Sequence, residues 1–206
     1  MLSPRSSFLV LSSLALSLAV MVLSANAEAQ IKQPGAHPSY DVELEPHLVL
    51  DWGGHPGPDD DDALGLGLRA TIPFLDNGPV SKINNNMGIG FGLDWAHDGN
   101  ACNRYFYAGR YYPWDCTIDR FHFPIVVQWN FWLTPIVSVF GEAGLQIEHD
   151  RWSIDNAQCI DCDSSDTGVD PVLWGGGRFL FGKGSTVGGV VRIGWPYISL
   201  GVGILL

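Results

Sequence analysis

The sequence predicts an all-β chain closed into an eight-stranded antiparallel up-and-down transmembrane β-barrel, and three observations predict it. Large apolar residues alternate with glycine or polar residues in segment after segment. Most of these segments run roughly 9 to 13 residues, the reach of a tilted strand across a hydrocarbon core. The connections between them alternate in kind, short turns with long loops.

Composition agrees with one domain. The chain has 206 residues, 46% hydrophobic, 16% charged and 12% aromatic, with 25 Gly. A coiled coil or a disordered chain carries more charge and fewer aromatics. The net charge of -11 excludes a nucleic-acid partner, because neutralising phosphates is the work of Lys and Arg.

The first element is a targeting segment. An apolar run from Phe8 to Leu23 follows the single basic residue Arg5 and precedes Ala25-Asn26-Ala27. Basic, apolar and A-x-A regions in that order describe a signal peptide over 1–27, with Glu28 opening the mature chain. A retained anchor is the alternative, but only Arg5 would hold its flank. No Cys follows the cleavage site, so a lipid anchor is not indicated, and no later apolar run reaches the length of a spanning helix. Residues 28–46 read as a flexible periplasmic N-terminal segment; a first strand that starts as early as Val42 is the alternative, with Pro46 interrupting its ladder. Residues 47–206 read as the barrel.

Its strands follow in order. Leu48, Leu50 and Trp52 share one face against Val49 and Asp51. Leu64 to Phe74 repeats the pattern with Gly65, Gly67, Arg69 and Thr71 between the large residues. From Met87 to Trp95 every odd position is large and every even one is Gly or Asp94, a spacing no helix produces. Phe121 to Leu133, Val137 to Ile147, Leu173 to Phe181, Val187 to Trp195 and Ile198 to Leu206 complete the set. Thr134-Pro135 and Lys183-Gly184 are minimal turns and Asp76 to Asn86 a moderate one; His55 to Asp62, Asp98 to Arg120 and Asp150 to Asp170 are the long loops. The last hairpin, at Trp195-Pro196-Tyr197, is short on the long-loop side.

Alternation alone fits a soluble lipocalin-like ligand-binding barrel too, with its apolar face turned inward. The minor face separates the two. A solvated face needs Lys, Glu, Thr and Ser, but here it is mostly Gly, with no strand Lys and with isolated Asp51, Arg69, Asp94, Glu142, Glu148, Arg178 and Arg192. Those seven read as a lumen charge network. The major face carries Trp52, Trp95, Phe121 and Trp195 toward the long loops and Phe74, Phe131 and Phe181 toward the short turns. Two aromatic belts around an aliphatic band suit a bilayer with two interfaces.

On the alternating strands, the targeting segment and the terminal strand, the chain is similar to the small eight-stranded outer-membrane β-barrel proteins, the OmpA/OmpX-like barrel group, over Leu48 to Leu206. The resemblance implies a place in the cell outer membrane, with outer-membrane lipid and the assembly machinery as partners. It departs in one respect: such barrels usually end in an aromatic residue, and this chain ends in Leu206. Eight strands leave an interior just wide enough for side chains, so a side-chain-filled lumen is expected, with a small porin-like channel as the alternative.

The remaining candidates sit in the long loops. Cys102, Cys116, Cys159 and Cys162 are even in number and exported, so disulfides are expected, with three connectivities open. A metal or redox site on Cys159-Ile160-Asp161-Cys162 is the alternative, but a C-x-x-C redox pair belongs at a helix start in a βαβ setting and none is visible. The acidic run Asp59 to Asp62 and the cluster Asp155, Asp161, Asp163, Asp166 and Asp170 lack EF-hand spacing and read as solvated charge. Tyr105, Tyr107, Tyr111, Tyr112 and Trp114 are the loop contact candidates for a surface ligand of unknown identity. His97 and His149 stand at strand ends with no Ser at useful spacing. No catalytic residue, metal or cofactor is therefore expected, and the leading function is a structural or surface-interaction role.

Overall fold

The computed structural model describes residues 30–51, 63–99, 105–107, 110–112, 115–155 and 164–206. The signal peptide expected at 1–27, Trp52, Asp59 to Asp62, Cys102, Trp114, Cys159 and Cys162 lie outside the described residues. Eight strands form one closed sheet: β1 Glu43–Asp51, β2 Ala63–Leu75, β3 Asn85–Asp98, β6 Asp115–Trp132, β7 Val137–Asp155, β8 Ser164–Leu180, β9 Val187–Trp195 and β10 Tyr197–Leu205. Each pairs antiparallel with the next barrel strand, and β10 closes on β1. Two short strands between β3 and β6, β4 Tyr105–Tyr107 and β5 Arg110–Tyr112, pair only with each other. Among the described residues no helix is long and apolar enough to cross a membrane.

Period two decides which residues face out. The register aligns Ala70, Phe91, Ile125 and Leu145 across β2, β3, β6 and β7. Phe91, Ile125 and Leu145 are exposed, as are Leu48, Leu66 and Leu200 on the remaining face of the wall. Between them the inward positions are buried and largely polar. Closing so small a barrel brings backbones close at the inward glycines. A Cβ on Gly144 would run into the carbonyl of Ile125 on β6, and one on Gly65 into the carbonyl of Trp95 on β3. The β8–β9 turn uses Gly184 at φ 74, the left-handed region that favours glycine.

Two sequence expectations about boundaries change. The barrel starts at Glu43, not at 47. Pro46 pairs with Leu68 of β2, while on the β10 side the ladder steps from Leu44 to His47. A proline removes one donor, so it breaks the ladder on one side and leaves the other. The segment before it is not a free lead from residue 30 on. Asp41 N donates to Leu206 O at 2.7 Å, Asn84 N donates to Ile31 O at 2.7 Å, and His37 stacks on Trp132 at 6.3 Å. Tyr40 packs on the buried cluster of Trp132, Leu180 and Leu205. Residues 30–42 thus lie against the short-turn end of the barrel.

The second change is at the other end. Much of the expected loops Asp98 to Arg120 and Asp150 to Asp170 is strand, because β6, β7 and β8 run to 18, 19 and 17 residues. Asp155, Asp166 and Asp170 therefore stand on strands. Past the apolar band polar residues such as Asp119, Arg120, Asp150, Arg151, Ser165 and Asp166 stand on both sheet faces, so the ladder continues where the alternation that marks it in sequence has ended.

Candidate functional site

The polar interior is built at three levels along the barrel. At the short-turn end Arg178 of β8 meets Glu43 of β1. Its Nε donates to Glu43 Oε1 at 2.8 Å and its Nη2 to Glu43 Oε2, while Nη1 reaches Ser138 Oγ at 3.2 Å and Asn130 Oδ1 at 3.4 Å. The guanidinium lies 5.7 Å from the rings of both Trp132 and Phe140, which flank it as it is desolvated.

The middle level holds the densest network. Arg192 of β9 bridges two glutamates: Nη1 and Nη2 donate to Glu45 at 2.7 and 3.0 Å, and Nε and Nη2 to Glu142 at 2.7 and 3.1 Å. Planar forked donors on paired carboxylate oxygens are the strong form of this bond. Glu142 of β7 is shared, taking Arg69 Nη1 at 3.0 Å and Gln128 Nε2 at 2.8 Å as well. Arg69 also donates to Tyr197 OH at 2.8 Å and lies 4.9 Å from the Trp174 ring. Asp94 of β3 accepts from the Tyr197 hydroxyl, lies 3.5 Å from Arg69 Nη2, and meets His47 Nε2 at 2.8 Å. Glycine makes the last contact possible, since a Cβ on Gly67 would collide with both Asp94 Oδ1 and His47 Nε2.

Toward the long loops the polar set changes character. Arg120 Nη1 donates to Asp51 Oδ2 at 3.2 Å, and His122 Nε2 lies 3.4 Å from the same oxygen. His122 Nδ1 sits 2.7 Å from Gln146 Nε2 and 3.6 Å from Glu148 Oε2. Above this level the interior opens into a cavity.

The seven residues expected in the lumen are thereby placed. Arg69, Asp94, Glu142 and Arg192 meet in the middle network, Arg178 stands apart on Glu43, and Asp51 and Glu148 belong to the His122 group. Sequence reasoning missed Glu43, Glu45 and His47, assigned to a lead or left unread. Period two continued back through Pro46 would have found them, because all three share a face with Asp51. It also missed Tyr197, read as turn, and Arg120, read as loop. Tyr105, Tyr107, Tyr111 and Tyr112 fall on β4 and β5, and Cys116 on β6.

Outside the barrel, near the long-loop ends, Asp119 Oδ1 accepts from Trp95 Nε1 at 3.0 Å and meets His97 Nδ1 at 2.9 Å. Burial pushes this carboxyl up, but the hydrogen bonds from His97 and Trp95 outweigh it and hold it below the usual aspartate range. A depressed carboxyl contributes stability above its ordinary pKa and loses it as pH falls through the lowered value. The carboxyl carbon of Asp119 should therefore titrate below an ordinary aspartate in NMR of the detergent-folded protein. In His97→Ala its midpoint should rise; an unchanged midpoint would show that His97 is not the cause.

No family model and no curated protein matches the chain. Among solved structures it is similar to Ail, the attachment invasion locus protein of Yersinia pestis, at 13% identity and TM-score 0.47, covering 80% of this chain and 96% of that one. The same figures of coverage and score, at 12% identity, hold for Neisserial surface protein A. Ail in a phospholipid bilayer nanodisc gives 11% identity and TM-score 0.42, covering 82% of this chain and 100% of that one. At such values the fold rests on this chain's own strand pairing.

Proposed function

We propose that the chain is an outer-membrane protein whose barrel spans the bilayer with its lumen closed by side chains, in a structural or surface-presenting role that is neither catalytic nor conducting. One observation carries the reading: the polarity is inverted relative to a water-soluble protein. Leu66 at 58%, Ile125 at 59%, Leu145 at 57% and Leu173 at 69% stand exposed around the wall, while Arg69, Asp94 and Arg192 are 0% exposed inside. In water such a continuous apolar belt is a liability; in lipid it is the solvent-matched face. Nor is the interior the apolar pocket of a lipocalin-like barrel.

Closure of the lumen is supported by the Arg178–Glu43 and Arg192–Glu142 levels and by residues 30–42 lying against the short-turn end. Export through a cleaved segment at 1–27, disulfides among Cys102, Cys116, Cys159 and Cys162, and contact through the tyrosine-bearing β4–β5 hairpin complete the proposal. Outer-membrane lipid, the assembly machinery and a surface ligand are its partners. The test is fractionation followed by gel mobility before and after boiling, with planar-bilayer recording of the same sample. The expected result is an outer-membrane protein that shifts on boiling and shows no discrete conductance. A mature protein soluble without detergent would overturn the membrane reading, and a steady unitary conductance the closed lumen.

A further inference from the structure

Where the barrel opens toward the long loops there is a cavity of about 220 Å³, and its walls are unequal in height and charge. β7 has 19 residues and β9 only 9, so one side stands tall and the side of the Trp195-Pro196 hairpin is low. The tall wall is acidic: Glu148 and Asp150 of β7 and Asp166 and Asp170 of β8 all line the cavity. Asp150 is directly opposite Asp166 across the strand pair, and Gln146 is opposite Asp170. Like charges in that position repel each other. Among the described residues the cations lining the cavity are Arg120, which donates to Asp51 on the far side, and His122, which lies between Asp51 and Glu148; neither is paired with Asp166 or Asp170.

A second observation is independent of the carboxylates. Gln146 also lines the cavity and is only 1% exposed, yet its Oε1 has no hydrogen-bond partner. Its amide nitrogen is engaged, 2.7 Å from His122 Nδ1 and 3.4 Å from Glu148 Oε2. A buried carbonyl left without a donor is costly, and here it stands beside a surplus of acceptors. A donor-rich cation would complement both features.

The geometry distinguishes between cations. Among the described residues no three His, Cys, Asp or Glu side chains converge closely enough to hold a metal ion. The cavity also has several times the roughly 30 Å³ share of one water. An alkylammonium suits it better: three donors, no acceptor, and an apolar stem. Val172, Trp195 and Pro196 line the cavity and supply apolar surface for the stem. We infer that this vestibule binds the primary ammonium group of a linear amine, with Asp166, Asp170 and the Gln146 carbonyl receiving it. The site needs only a folded barrel, so its failure leaves the membrane reading untouched.

The test is calorimetric titration of the detergent-folded mature protein with spermidine and, in a second arm, with trilysine amide, which separates a free polyamine from a peptide side chain. Saturable binding of either that weakens about tenfold or more in Asp166→Asn/Asp170→Asn is the expected result. Both aspartates are exposed, so this variant should keep the boiling shift of the parent. Gln146→Leu should weaken binding too, whereas Asp76→Asn at the opposite end should not. Three outcomes would overturn the proposal: no saturation by millimolar amine, equal loss in Asp76→Asn, or binding of calcium ion where both amines fail.

Discussion

Replacing Arg192 by Met is expected to cost the folded barrel about 3–5 kcal/mol, the penalty of leaving a buried charge without its partner. Arg192 donates to both oxygens of Glu45 and to both of Glu142, and all three residues are almost wholly buried. After the change Glu142 keeps Arg69 and Gln128, so the orphan is Glu45, left beside the His47 ring with Nδ1 at 3.7 Å. The double variant Arg192→Met/Glu45→Leu should then recover most of the loss, because a buried pair replaced by apolar residues of similar size is often neutral. The methionine has the Phe140 ring, now 5.3 Å from the guanidinium, to pack against. Reversible urea unfolding in detergent, followed by gel mobility, gives all three free energies. A double variant no better than the single would mean that the network acts through packing, not charge pairing.

That network shows what the sequence could and could not reveal. Which face of each strand carries charge was legible, because alternation needs only neighbouring residues. Which charges meet was not, because the partners are joined by barrel closure. Arg192 and Glu45 are 147 positions apart in the chain, and Arg178 and Glu43 are 135 apart. Their contact depends on how β1 is staggered against β10 and how the lumen is spanned, and neither leaves a local mark. Glu43, Glu45 and His47 are hidden for a different reason, since a proline in sequence signals an interrupted ladder without showing that Pro46 interrupts only one of two. At the far end, the upper parts of β6, β7 and β8 are not legible in sequence, because polar residues on both of their faces break the apolar period.

The outward face gives the sharper discrimination between solvents. Ile125 is 59% exposed, lies on β6 between the outward rings of Phe121 and Phe131, and is paired with Phe91 and Leu145. If that face meets lipid, Ile125→Arg places a guanidinium near the bilayer midplane and should cost about 2–4 kcal/mol. The same charge at Phe181, 63% exposed beside the short β8–β9 turn, lies near an interface and should cost only about 0–1 kcal/mol. In water neither change leaves the range of an ordinary surface substitution, within about 0.5 kcal/mol. The two positions are similarly exposed, so the difference between them measures depth in hydrocarbon and not burial in protein. Unfolding of both variants in lipid vesicles supplies the comparison. Equal costs at Ile125 and Phe181 would remove the bilayer from the account of this barrel, because no other solvent makes an exposed leucine belt indifferent to charge at its edge and intolerant of it at its centre.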